Sequence, residues 1–299
     1  MNIAILGGNS MMAIDLYKIF LQNTSYNIFS FARNALLNKS KSNIEFYDYK
    51  QFNDFKYDLI INFIGAGDQS KINQEKNNII KTSIYYDQMV LNYLYKNVKT
   101  KYIYISSGSA YLSDFKDPVE EDNIITISKN DLIHEKKNYQ YSKIIPELIH
   151  LAERRLSIVN LRIFNYISNS ININHTFLIS QIFKSIIYKK KFECNQMNIV
   201  RDYISDIELF EIIELINNKD FLNDSFDCFS KKPITLYELL KMMKDFYNLN
   251  YSFSILETTN LTGQKINYYS NNHNLLKIGY IPKRTSAEII TSIAKQVIN

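Results

Sequence analysis

Glycine is scarce in this chain, with 7 among 299 residues; cysteine is scarcer at 2, and tryptophan is absent. Cys194 and Cys228 are too few for a disulfide framework. Neither stands at a metal-ligand spacing from the other or from the 4 scattered histidines, so no protein-bound metal is expected. Long apolar runs are missing as well. Stretches such as "IAIL" and "DLIINFIGAG" fall far short of the ~20 residues that span a bilayer. The N-terminus also lacks a charged segment followed by an apolar one. These absences predict a cytoplasmic protein without a membrane partner. The net charge of +5 is dispersed, with no basic stripe interleaved with aromatics, which argues against nucleic acid and suits an anionic small molecule.

The composition that is present, 46% hydrophobic and 14% aromatic, supports a substantial core. Strand and helix patterns alternate through the first half. "MNIAILG", "YNIFSFAR", "YDLIINFIGAG" and "KYIYISSGSAY" read as strands; "MMAIDLYKIFLQ" and "NNIIKTSIYYDQMVLNYLYKN" read as helices. This alternation predicts an α/β fold, a doubly wound parallel sheet with right-handed crossovers whose ligand crevice lies at the carboxyl ends of the strands. Past about residue 165 the alternation fades into helical stretches, "HTFLISQIFKSIIYKKK" and "TLYELLKMMKDFYN" among them. We therefore expect a nucleotide-binding domain over 1–165 and a smaller substrate-binding region over 166–299, interleaved with the first.

Two motifs carry chemistry. "AILGGNSMMA", residues 4–13, runs from an apolar strand through two glycines into a helix, as a dinucleotide-binding turn does, yet Ser10 and Ala13 stand where glycine is usual. In "NYQYSKIIPELIHLAERR", residues 138–155, Tyr139 and Lys143 are four apart and share one helix face. An ammonium beside a phenol favours the phenolate, so proton exchange with a substrate oxygen becomes easier. Ser107 closes the strand upstream, where its hydroxyl can bond the same oxygen. Pro146 stands inside the same helix, where it removes a backbone donor; the sequence supplies no reason for it.

Together these residues resemble the extended short-chain dehydrogenase/reductases, the nucleotide-sugar epimerase, dehydratase and reductase family. "LRIFNYIS" is similar to the family's segment after the catalytic helix, "RDYISD" to its arginine-bearing nucleotide-sugar segment, and "LLKIGYIP" to its C-terminal signature. The resemblance implies a modified Rossmann fold. In the family the catalytic Ser or Thr precedes a tyrosine by four, which selects Ser107, four before Tyr111, over Ser106 and Ser109. Ser107, Tyr139 and Lys143 are thereby implied as catalytic. Cofactor contacts are implied at the first turn for Gly7, Ser10, Met11 and Met12, with the Ser10 hydroxyl donating to a phosphate. After the later strands they are implied for Ser30, Arg33, Asn34, Gly65, Ala66 and Gly67, with Tyr139 and Lys143 completing the set. Ser107, Ser109, Asn165 and Arg201 are implied for the substrate, Arg201 at its diphosphate. Asp206 and Glu208 do not align with the family's aspartate.

The second strand ends without an Asp or Glu to take a ribose hydroxyl, and a guanidinium at Arg33 fits a 2′-phosphate, so NADP(H) is expected ahead of NAD(H). Gly108 and Ser109 replace the acidic pair of the dehydratases, and no second acid/base pair for ring inversion is evident; His134 precedes the catalytic helix as a solvated loop residue. The expected reaction is NADPH-dependent reduction of a nucleotide-linked keto sugar, a 4-keto-6-deoxy sugar, in surface-polysaccharide sugar biosynthesis. The alternatives are a 4-epimerase holding NAD and a non-catalytic NADP-binding regulator. The family also implies a homodimer, paired through the crossover helix and the catalytic helix.

Overall fold

The computed structural model describes residues 1–33, 44–65, 78–133, 137–254 and 265–298, with the backbone alone at 132 and 133. Seven strands form one sheet: β1 (Asn2–Leu6), β2 (Asn27–Phe31), β3 (Phe46–Tyr47), β4 (Leu59–Asn62), β5 (Lys101–Ser107), β6 (Ile158–Ile163) and β11 (Asn223–Cys228). Their order is β11-β6-β5-β4-β1-β2-β3, and every neighbouring pair is parallel. The strand order reverses beside β1, so β1 and β4 open a crevice at their carboxyl ends, the doubly wound α/β arrangement of a Rossmann fold.

Strand alternation decides which side chains meet which helix. Ile3 and Ile5 face one core with Leu59, Ile61, Ile103 and Ile105, covered by α1 (Met11–Phe20) and α6 (Asp206–Asn217). Ala4 and Leu6 face the other with Ile60, Tyr102, Tyr104 and Ile158, covered by α2 (Asn78–Leu94), which packs on α4 (Asn138–Ala152). Because both faces are covered, β1 and β4 carry consecutive apolar residues, as in "LII" of β4. Between α2 and α4 lies the short helix α3 (Lys129–Ile133).

The remaining elements surround a second core. Helices α5 (Leu178–Ile187), α7 (Leu236–Tyr247) and α8 (Ser286–Val297) bury Ile182, Phe183, Leu239, Leu240, Met243, Ile289 and Ile290 against one another. Short strands tie this region together. β7 (Asn165–Tyr166) pairs with β10 (Tyr203–Ile204), β8 (Phe192–Cys194) pairs with β13 (Tyr251–Phe253), and β9 (Val200–Arg201) lies between β12 (Ile234–Thr235) and β14 (Asn267–Tyr268). Residues 206–228 return to the large sheet, α6 packing on α1 and β11 forming its edge. Among the described residues no helix is long and apolar enough to cross a membrane.

Candidate active site

The first turn shows why a serine is tolerated. Gly7 has a φ of +70°, and a Cβ there would stand 3.0 Å from the Phe63 carbonyl carbon, so this glycine is required. Ser10 has φ −78° and ψ 154°, ordinary extended backbone, and its Oγ accepts the Ala13 N–H as the N-cap of α1. Its oxygen thus caps the helix. The N–H groups of Met11 and Met12, which a helix cannot pair internally, remain at an N-terminus with no acidic residue in its first turn. The turn is braced from below by Tyr49, whose hydroxyl accepts from Gly7 N–H at 2.9 Å and donates to the Phe31 carbonyl at 3.2 Å.

Ser30 is fully buried under this turn. Its Oγ has no hydrogen-bond partner among the described residues and would lie 2.0 Å from a Cβ on Gly8. Arg33 stands exposed at the end of β2, near enough to Tyr49 for its charge to act on that phenol. Gly65, φ +145°, lies three residues past β4; a Cβ there would come within 2.7 Å of Lys143 Nζ, so the absent side chain keeps open the space between the turn and α4. Gly7, the end of α1 and Gly65 thus form a cradle that side chains would fill, and it fits a dinucleotide. Asn34, Ala66, Gly67 and His134 lie outside the described residues.

Ser107 and Tyr139 are brought together: the Ser107 hydroxyl stands near enough to the Tyr139 phenol to favour its ionised form. Ser107 Oγ also caps the turn Gly108–Tyr111 by accepting the Ser109 N–H at 3.2 Å. Burial raises the Tyr139 phenol to about 12, Tyr268 adds to the rise, and the Ser107 hydroxyl opposes it. The Lys143 ammonium donates to the Ile105 carbonyl at 3.0 Å and lies 5.2 Å from the centre of the Tyr104 ring. Burial lowers Lys143 to about 8, and the Glu147 carboxylate works against that fall.

Pro146 has an explanation in the same helix. It cannot donate to the carbonyl of Ser142, four residues back. That carbonyl accepts instead from Ser83 Oγ of α2 at 2.8 Å and Tyr104 OH of β5 at 3.1 Å. The missing helix bond becomes a joint between three elements directly beneath Lys143.

On the substrate side Tyr268, which the sequence reading missed, is a junction. Its hydroxyl lies 3.1 Å from both Ser107 Oγ and Ser109 Oγ. Lys265, also missed, donates to Ser109 Oγ at 2.8 Å. Arg201 is oriented by the carbonyls of Val200, Ile266 and Lys265. Asn165 donates to the Asp202 carbonyl at 2.8 Å, joining β7 to the segment before β10. The unaligned acids are capping groups. Glu208 completes a capping box with Ser205 and pairs with Arg284, while Asp206 opens α6. Gly108 is required by packing, since a Cβ would meet the Phe164 ring at 2.4 Å. No acidic side chain fits there.

The family model for the NAD dependent epimerase/dehydratase family matches residues 3–216. The chain belongs to that family. Members with solved structures share its fold. UDP-glucose 4-epimerase of Thermotoga maritima is 16% identical with a TM-score of 0.80, covering 99% of this chain and 98% of that one. UDP-glucuronic acid 4-epimerase of Bacillus cereus is 15% identical with a TM-score of 0.77, covering 99% of each chain. The dTDP-glucose 4,6-dehydratase of Bacillus anthracis is 16% identical with a TM-score of 0.75, covering 99% and 96%. Comparison with curated protein sequences gives no match.

Proposed function

We propose that this member of the epimerase/dehydratase family reduces a ketone on a nucleotide-linked sugar, with NADPH as the dissociable cofactor. The observation that carries this reading is the Ser107–Tyr139 pair at the carboxyl end of β5, with the phenol held in its protonated form. A phenol raised to about 12 is already the acid at neutral pH. In that form it can donate to a carbonyl oxygen as the carbonyl is reduced. Ser107 shares the same oxygen and orients it. Lys143, largely ammonium at neutral pH, would hold the cofactor's nicotinamide ribose, and Gly7, Met11, Met12 and Gly65 its diphosphate and nicotinamide ends. Bound there, the nicotinamide supplies the hydride. Arg201 would take the substrate diphosphate. The reading includes a homodimer through α2 and α4, whose exposed faces present Tyr85 and Leu148.

A second reading, a 4-epimerase that retains NAD, follows the activities named for the similar structures. Dehydration is disfavoured, because Phe164 fills the space an acidic residue at position 108 would need. The experiment is to measure cofactor bound to the purified protein, then follow NADPH consumption with a 4-keto nucleotide sugar. Stoichiometric oxidation of added NADPH supports the reductase. Tightly bound NAD with sugar interconversion and no net NADPH consumption overturns it. Arg33→Ala should weaken NADPH more than NADH by about 1 to 3 kcal/mol, the worth of a charge-assisted contact; equal losses would assign Arg33 no part in cofactor choice.

A further inference from the structure

Beside Tyr268 stand two cations, Arg201 and Lys265, with no carboxylate partner among the described residues, and they are not equivalent. Arg201 is tied to three carbonyls, so its charge is oriented without being neutralised. Its guanidinium carbon is 5.9 Å from the centre of the Tyr268 ring, and it has no bond to the serines. Lys265 Nζ is 4.2 Å from that ring centre, 4.9 Å from that of Phe115, and bonded directly to Ser109 Oγ. Ser109 and Ser107 share the Tyr268 hydroxyl, and Ser107 stands beside Tyr139. The Lys265 ammonium therefore stands a short hydroxyl chain from Ser107.

Two aromatic faces and one hydroxyl are a poor replacement for the water an ammonium gives up. Burial, then Arg201, lowers this amine to about 7, so it is held short of negative charge. A methyl or hydroxymethyl substituent on the sugar would remove more water and return no charge. A carboxylate would return it.

We propose that the nucleotide-linked sugar carries a carboxylate, and that Lys265 selects it. This rests on the keto-sugar reading above and names its substrate class as a nucleotide-linked hexuronic acid derivative, in place of the 6-deoxy sugar. With the reacting oxygen between Ser107 and Tyr139, the carboxylate accepts from Lys265 beside Ser109. Arg201 remains with the diphosphate.

The test is calorimetric binding to the cofactor-saturated protein at pH 6.5, comparing UDP-glucuronate with UDP-glucose and the corresponding thymidine diphosphate pair. Both members of a pair carry the same diphosphate, so their difference reports the carboxylate alone. The expected result is a preference of about tenfold or more for the uronate, the scale of a charge-assisted hydrogen bond. Lys265→Met should erase it and Lys265→Arg should keep it. The preference should shrink as pH rises through about 7, where Lys265 loses its proton. Tyr268 is raised above its ordinary value and Tyr139 stands at about 12. Lys143 titrates nearby at about 8, and the Lys265→Met variant, which keeps Lys143, isolates that contribution. Equal affinities in the wild type, or a preference that survives Lys265→Met, would overturn this assignment and leave the keto-sugar reading standing. Sugars bound no better than the free nucleoside diphosphates would end both.

Discussion

Charges below α4 and charges above it are treated differently. Below, Glu147 is fully buried yet completely engaged: Arg162 reaches it through Nε at 2.9 Å and Nη2 at 2.6 Å, and Ser106 donates to its other oxygen. Arg162 also meets Asp227 at 3.7 Å, and Asp227 accepts from Tyr111 and Ser270. Farther along, His150 bridges Asp87 and Asn160. Above the helix, Lys143, Lys265 and Arg201 have only carbonyl and hydroxyl partners. A buried charge is tolerated when an opposite charge and hydrogen bonds surround it. The lower network meets most of that demand within the chain, although Asp227 Oδ1 lacks a hydrogen bond among the described residues, whereas the upper set leaves it for a ligand to meet. Variants of the upper set should therefore cost activity, and variants of the lower set should cost stability.

The largest effect is expected above the helix. Tyr139→Phe removes one oxygen from the Ser107 pair and should leave the fold and NADPH affinity nearly unchanged. Ketone reduction should slow by about two to four orders of magnitude, the range for a positioned acid. Lys143→Met should cost at least as much, and cofactor affinity should fall with turnover. Single-turnover oxidation of NADPH measures both. A wild-type rate for Tyr139→Phe would remove Tyr139 from the mechanism.

Glu147→Gln tests the border between the two sets. It leaves Arg162 buried with Asp227 as its nearest carboxylate, and breaking a buried pair in this way costs about 3 to 5 kcal/mol; Asp227, raised to about 6 by burial, would ionise more readily and recover part of that. The Tm should fall clearly. Glu147 also supports the Lys143 ammonium, so its removal takes Lys143 below about 8. Activity that needs the ammonium is lost as pH rises through that value, and the alkaline limb of the rate profile should move to lower pH. Adding Arg162→Met should restore stability without restoring the limb. Recovery of both together would show that Glu147 acts on activity only through the fold.

What the sequence made legible divides along similar lines. The sheet was readable because period-two alternation and apolar runs such as those of β1 and β4 report local geometry. That Tyr139 and Lys143 share a helix face near the end of β5 was legible because a one-turn spacing and a strand end are local signals; Ser107 was singled out there by the family resemblance. Tyr268 and Lys265 were not. They reach Ser109 across 159 and 156 residues from a segment with no periodic pattern. Glu147 showed in the sequence only as a polar residue four after Lys143, and its burial depends on Arg162 arriving from the next strand. Pro146 was misleading for the same reason, since the groups that replace its missing donor come from α2 and β5.

The smallest expected effect is at Ser10. Its conformation is extended, so glycine would relieve no strain there, and its hydroxyl satisfies one helix N–H that would otherwise turn to water. Ser10→Ala should lower stability by about 1 kcal/mol, the usual worth of an N-cap, while Ser10→Gly should cost only a few tenths. Both leave the Met11 and Met12 N–H groups in place. If phosphate binding depends on that helix end, NADPH affinity in Ser10→Gly should stay within about twofold of wild type, since a neutral hydrogen bond contributes little net. Titration of both variants by thermal melting and by cofactor fluorescence separates the two uses of the residue. A large loss of affinity in Ser10→Gly with an unchanged melting temperature would mean that the hydroxyl donates to the phosphate, a role that its acceptance of the Ala13 N–H leaves open.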